Sequence, residues 1–299
     1  MFDYLSFIEE QVALWPMAAE NYRRLGLTER RSLSLGDLTV GIQLNPARIV
    51  STGAKIDASG NVGTRPCFLC ADNRPPEQIP YPLMTGWQLL LNPFPVFPVH
   101  FTIVNTKHTP QTRMPLEMAS MAESLPGLTV FFNGARSGAS APDHLHCQAV
   151  LTEELPLMQL CMKYHPLSRP GIEIASSWGL DLPFDFWSAV ITPDTDGMRT
   201  LQAITHACGI DPDTGQPDSG RVNSYFWRDS SGLLRAVAVP RSGHRPACYY
   251  AEDDSKRLIS PGAVEMAGVV ITPRADDYRR LSAEELRRIY AETGIASLI

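Results

Sequence analysis

No run of apolar residues in this chain is long enough to cross a bilayer. Residues 1–11 also lack the basic segment and apolar stretch of a secretory signal, so the expectation is a cytoplasmic protein with no membrane partner. Cysteine is scarce: six in 299 residues cannot form a dense disulfide framework. In a reducing compartment Cys67-Phe68-Leu69-Cys70 then reads as a metal half-site or a redox pair, and Cys147, Cys161, Cys208 and Cys248 as isolated buried thiols. Positive charge is in deficit, with a net charge of −6, which excludes the broad basic surface that a nucleic-acid partner requires. A small phosphorylated ligand needs only a few local cations. There are no low-complexity runs and no long charge blocks; 44% hydrophobic and 19% charged residues are the composition of a soluble globular protein with a substantial core.

Apolar residues at Leu5, Phe7, Ile8, Val12, Leu14, Trp15 and Ala18 recur near helical spacing, which predicts an amphipathic helix over 3–25 interrupted near Pro16. Strands are expected over 38–50, 87–92, 100–105 and 128–132, with a short helix over 115–125. Residues 55–65 form a polar turn leading to the cysteine pair, and the prolines of 93–98 forbid a continuous ladder there. Beyond residue 167 the pattern predicts strands over 172–177, 184–191 and 265–272 and a helix over 196–208. A hairpin is expected from 222–228 to 233–239 around Asp229-Ser230-Ser231-Gly232, and Ser282-Ala283-Glu284-Glu285 opens a last helix as a capping box. Hairpins without regular strand–helix alternation argue for an α+β fold. The strand and basic turn of 100–108 is echoed at 237–245, which points to two related halves, 1–166 and 167–299.

The most informative stretch is Asn133-Gly134-Ala135-Arg136-Ser137-Gly138-Ala139-Ser140, followed by His144-Leu145-His146-Cys147-Gln148. If the second segment is a strand, His144, His146 and Gln148 share one face. A loop rich in glycine and serine brings backbone N–H groups close to an anion. Two cysteines two residues apart form half of a tetrahedral zinc site; His108 and His144 are the best candidates for the other half, with His100 competing for the place of His108. Four protein ligands would make such a zinc structural. His146 is then free to face the loop as a neutral nucleophile, while the Gln148 amide donates to a phosphate oxygen without supplying a titratable proton. The compact basic turn Arg241-Ser242-Gly243-His244-Arg245 suits a distal phosphate or an incoming orthophosphate, and Arg48, Lys55 and Arg136 are lesser candidates. His165 and His206 read as structural.

Over residues 65–148 these motifs resemble the HIT-fold nucleotidyltransferase superfamily, in the branch of galactose-1-phosphate uridylyltransferase, diadenosine tetraphosphate phosphorylase and GDP-hexose phosphorylases. Members carry Gly-x-Ser followed by HxHxQ, and the His-Leu-His-x-Gln form is most similar to the GDP-hexose phosphorylases. The resemblance implies a mainly antiparallel sheet with flanking helices, in two HIT-like halves. It implies that His146 is the nucleotidylated residue and Gln148 its phosphate-holding partner. Zinc would sit on Cys67, Cys70, His108 and His144. Asn92 would contact the nucleotide, and Asn133 and Ser140, with Ser137 and Gly138 between them, the α-phosphate; Arg241 and Arg245 would complete the substrate site. Asp143 lengthens the segment before the histidines relative to the uridylyltransferases, and the second half has no further HxH, so one active centre per chain is expected. The implied activity is transfer of a nucleoside monophosphate from a GDP-hexose-like nucleotide sugar, releasing a sugar 1-phosphate, with orthophosphate or a sugar phosphate as acceptor. Alternatives are an Ap4A-type dinucleotide phosphorylase or hydrolase, and a zinc-stabilised nucleotide-binding protein without turnover. A homodimer is compatible with each.

Overall fold

The computed structural model describes residues 2–49, 65–192 and 219–298. Lys55, His206, Cys208 and the expected helix over 196–208 lie outside the described residues, as does most of the polar turn before the cysteines.

The first helical stretch divides as its proline requires. Helix α1 (Tyr4–Leu14) starts where Asp3 accepts the Ser6 N–H at 3.1 Å, and α2 (Pro16–Leu25) begins on Pro16, whose missing N–H costs nothing in a first turn. Strands β1 (Glu29–Leu35) and β2 (Leu38–Leu44) then pair as a hairpin. The first, rich in charge and serine, carries too weak an alternation to be read in advance. The second ends at Leu44, short of the expected residue 50, and the chain turns through a 3-10 segment, Pro46–Arg48.

The main sheet follows: β3 (Tyr81–Met84), β4 (Trp87–Leu91), β5 (His100–Asn105), helix α3 (Met118–Ser124), β6 (Leu128–Asn133), β7 (His146–Leu151), helix α4 (Pro156–Tyr164), β8 (Gly171–Ile174), β9 (Trp187–Ile191), β10 (Val222–Arg228) and β11 (Leu234–Pro240). Short helices α5 (Ala247–Tyr250) and α6 (Ala263–Met266), strand β12 (Val269–Thr272), α7 (Ala275–Arg280) and α8 (Ala283–Thr293) complete the chain. Nine strands lie in the order β3-β4-β5-β7-β6-β10-β11-β9-β8, every neighbouring pair antiparallel. Strands preceding residue 152 make one side and strands following residue 170 the other; they meet at β6–β10. A small sheet, β1-β2-β12, joins the N-terminal hairpin to a parallel C-terminal strand. The fold is thus α+β, with a large antiparallel sheet and flanking helices.

Alternation along the strands gives the large sheet two apolar faces. Phe101, Ile103, Val130, Phe132, Cys147 and Phe226 pack under α1, α2 and α3, against Trp15, Ala18, Met118 and Met121. Phe131, Val150, Tyr225, Trp227 and Val239 face the small sheet, α4, α6 and α8, meeting Val40, Met158, Met266, Val270 and Tyr290. Both faces carry buried apolar side chains, so strand register is set from two sides. The expected strand over 265–272 is half helix: Glu265 caps the Gly262 N–H at 2.9 Å, and Gly268, at φ +98°, turns the chain into β12. Ser282 caps α8 through the Glu285 N–H. Among the described residues no helix is long and apolar enough to span a membrane.

Candidate active site

Strands β6 and β7 pair as far as Phe131 opposite Gln148 and then part. The gap is closed by the buried side chain of Gln111, which accepts the His146 N–H at 2.9 Å and donates to the Asn133 carbonyl at 2.5 Å. Between these two strand ends the chain makes its Gly/Ser loop. Strand β7 begins at His146, so His144 lies ahead of it rather than on it, and its ring serves a different site. His146 and Gln148 share one face of β7, as their two-residue spacing demands.

Hydrogen bonds determine both side chains. The His146 Nδ1–H donates to the His144 carbonyl at 2.7 Å, which leaves the lone pair on Nε2; that atom has no hydrogen-bond partner among the described residues. Burial lowers the His146 pKa to about 4, so the ring is neutral near pH 7. Gln148 is oriented by His100. The His100 Nδ1 accepts the Val96 N–H at 3.2 Å, which assigns the proton to Nε2, and Nε2 donates to Gln148 Oε1 at 2.8 Å. With its carbonyl held, Gln148 presents its NH2 end. Burial and then the Arg48 charge lower the His100 pKa to about 3. Asn92 braces this group: its Oδ1 takes the Phe94 N–H at 3.0 Å, and its Nδ2 lies 3.3 Å from His100 and 3.4 Å from the Thr102 hydroxyl.

Cys67, Cys70, His108 and His144 bring their ligand atoms within 4.8 Å of one another. The Cys67 Sγ is 3.3 Å from His144 Nδ1, and the Cys70 Sγ is 3.2 Å from His108 Nδ1 and 3.6 Å from His144 Nδ1. Two thiols and two imidazoles at these separations fit a tetrahedral ion such as zinc, with bonds of about 2.0–2.3 Å. The His144 Nε2–H donates to the Asn105 carbonyl at 2.8 Å, the outer bond that fixes a ligating imidazole. His100 is therefore not the competing ligand: it is committed to Gln148, and His108 completes the cluster. The salt bridge of Arg65 to Asp143, 3.0 Å, ties the cysteine turn to the residue ahead of His144.

A cavity opens over the front face of β5–β7. Gln148 and His100 form its floor, Gly138 and Ser140 one wall, and Arg48, His244, Arg245 and Glu265 come from outside the main sheet. His146 lies one step farther along the same strand face. Gly138 adopts φ +98°, and a Cβ there would stand 2.4 Å from the Gly262 Cα, so only glycine lets the loop touch the start of α6. Three expected phosphate ligands are engaged within the protein and hold the loop. Ser137 is buried and its hydroxyl donates to the Gly220 carbonyl at 2.9 Å. The Asn133 Oδ1, at the cavity edge, accepts from the Ala263 N–H at 2.7 Å and from Asn223 at 3.1 Å. Arg241, 2% exposed, is withdrawn from solvent: Nε donates to the Thr293 carbonyl at 2.6 Å, and the two terminal nitrogens to Asn223 Oδ1 at 2.6 Å and the Pro261 carbonyl at 2.9 Å. It staples the loop to the C-terminal segment. Arg245 does reach the cavity, donating to the Ser260 hydroxyl at 3.0 Å with its guanidinium 4.2 Å above the Tyr249 ring. Gln111, Gly262 and Glu265 escaped the sequence reading; none of them sits in a pattern, and each matters through a partner distant in the chain.

Residues 7–151 match a domain family of unknown function (DUF4922). No curated protein matches the chain by sequence. Among solved structures the chain is similar to the Ap4A phosphorylase Apa2 of yeast. The TM-score is 0.55 at 14% identity, covering 94% of each chain. For Apa2 in complex with AMP the values are 0.54 and 13%, over 96% of this chain and 97% of that one. For Apa2 in complex with Ap4A they are 0.58 and 14%, over 95% and 98%. These likenesses are of fold: the chain shares the α+β architecture of Apa2, with its large antiparallel sheet.

Two outcomes follow from the geometry. The purified protein retains a divalent ion by elemental analysis, and Cys67→Ser removes it with a loss of stability on the order of several kcal/mol in thermal unfolding; a metal-free protein of unchanged stability contradicts the cluster. His100 and His244, the latter lowered to about 4 first by burial and then by Arg245 and Arg241, both take up protons less readily folded than unfolded. The unfolded chain therefore binds more protons between their folded values and about 6.5, so the melting temperature falls as pH drops through that window and is highest above it.

Proposed function

We propose that this chain, built on the fold it shares with Apa2, is a nucleotidyltransferase of the phosphorylase type that passes a nucleoside monophosphate through His146. The observation that carries the reading is the pair of fixed side chains on β7: a neutral imidazole whose Nδ1–H is pinned and whose Nε2 is unpartnered among the described residues, and a carboxamide whose carbonyl is pinned by His100. Nε2 attacks the α-phosphorus of a GDP-hexose-like nucleotide sugar. The P–O bond to the sugar phosphate breaks, its electron pair leaves on the sugar 1-phosphate, and the imidazole keeps its Nδ1–H, so the adduct is cationic and the His144 carbonyl faces that charge. The NH2 of Gln148 donates to a nonbridging oxygen as charge builds there. A phosphate leaving group needs little protonation, so the absence of a titratable proton on Gln148 is tolerable. In the second half-reaction orthophosphate or a sugar phosphate attacks the same phosphorus and restores the free imidazole.

The four metal ligands would hold a structural zinc, which supplies no open coordination position and anchors the turn that carries His144. Residues 1–166 form the half with the histidines and this metal site; residues 167–299 complete the sheet and the substrate pocket. Gly138 and Ser140 shape the anion site, Arg245 and Arg48 face the outer phosphate, and Asn92, Asn133, Ser137 and Arg241 act at one remove by fixing what surrounds it. Scarce cysteine and a thiol metal set accord with a cytoplasmic setting. A second reading, a dinucleoside polyphosphate phosphorylase, is favoured by the likeness to Apa2 in complex with Ap4A over nearly the whole of both chains.

Incubation with a panel of nucleotide sugars and dinucleotides should add one nucleoside monophosphate to the protein by intact mass, and His146→Ala should stay unmodified; an adduct on that variant refutes the role. Gln148→Ala should slow turnover by about tenfold to a thousandfold. His100→Ala should lower kcat by roughly tenfold with KM little changed, because it acts by positioning Gln148. Equal effects on kcat and KM would count against that role.

A further inference from the structure

The cavity has one wall that an anion does not suit. Helix α6 begins there, and the N–H groups of its cap and its first residue are already taken: that of Gly262 by Glu265 Oε2 at 2.9 Å, and that of Ala263 by Asn133 Oδ1 at 2.7 Å. In their place Glu265 lines the cavity with a carboxyl group. One oxygen is tied to the Gly262 N–H; the other, Oε1, has no hydrogen-bond partner among the described residues. Arg48 and Arg245, which also line the cavity, bring positive charge to it. The cavity therefore pairs cationic groups with a carboxyl oxygen open to hydrogen-bond donors, a match for a ligand that carries a phosphate next to neutral hydroxyls.

We infer that Glu265 Oε1 accepts hydroxyl groups of the hexose in the departing sugar 1-phosphate and so selects nucleotide sugars over dinucleoside polyphosphates. The inference rests on the phosphorylase reading above for what the cavity holds. In a dinucleoside polyphosphate a further phosphate takes the place of the hexose, and beside a carboxylate its like charge repels. A hexose places donors there. The carboxyl cannot rotate freely to avoid the ligand, because its other oxygen caps the turn on which it sits. Glu265 thus contributes to specificity and takes no part in the bond exchange at phosphorus.

The test uses binding, which does not require turnover. The full-length protein and Glu265→Gln are titrated by calorimetry with glucose, galactose and mannose 1-phosphates and with inorganic phosphate. Glutamine keeps an oxygen for the Gly262 N–H, and a melting curve confirms that the variant is folded. In the unaltered protein at least one hexose 1-phosphate should bind about tenfold to a hundredfold more tightly than inorganic phosphate, and Glu265→Gln should abolish that preference while leaving phosphate affinity within about twofold. A preference that survives the substitution, or no preference in the unaltered protein, overturns the inference. Glu265→Ala, if folded, should behave as Glu265→Gln; a retained preference there has the same consequence. Failure of the phosphorylase reading shows itself separately, as absence of a nucleotidyl adduct on His146 with every donor.

Discussion

The site depends on one hydrogen bond, from the Nδ1–H of His146 to the carbonyl of His144, 2.7 Å long. It decides which ring nitrogen of His146 carries the proton, and with the tautomer reversed Nε2 would carry an N–H instead of a lone pair. The carbonyl is in place because His144 is held at both ends of its ring, with Nδ1 against the thiols and Nε2–H on the Asn105 carbonyl. The cysteine–histidine cluster and the His146–Gln148 pair thus share a residue, one using the His144 ring and the other its backbone.

Burial is the second constraint, because it keeps the imidazoles of the polar face neutral. His100 and His146 are both pushed far below their ordinary range, and His100 works as a hydrogen-bond relay from the Val96 N–H to the Gln148 carbonyl. Arg241 shows the other way to bury charge. Its guanidinium is satisfied by carbonyls and Asn223 on segments far apart in the chain, which binds the Gly/Ser loop to the C-terminal region. Stripping such a group of its partners would leave an uncompensated buried charge.

The continuous nine-stranded sheet explains why the pocket needs both ends of the chain. Strands β5 and β7 supply the floor with His100 and Gln148, while residues 244–245 and 260–265 supply the facing wall. Gly138 and Gly262 meet backbone to backbone at that join, and a side chain on the first would force the walls apart. The space above Gln148 is consequently set by packing between distant segments, and the chemistry of that wall, cationic at Arg245 and acidic at Glu265, is a property of the assembled fold.

The local features were legible in the amino-acid order because local forces make them. Pro16 divides two helices, Asp229-Ser230-Ser231-Gly232 turns a hairpin, Ser282 caps a helix, and period-two spacing puts His146 and Gln148 on one strand face. The spacing of the cysteine pair left a metal half-site and a redox pair as alternatives, and the fold brings the pair to His108 and His144. What only the tertiary structure decided are the pairings that span the chain: His108 over His100 at the thiols, His100 as the partner of Gln148, Gln111 wedged between parting strands, and Arg241 drawn inside rather than offered to a phosphate. Each turns on which buried polar group finds which partner. A buried donor must be satisfied by whatever folding brings within about 3 Å, and no spacing along a sequence records that distance.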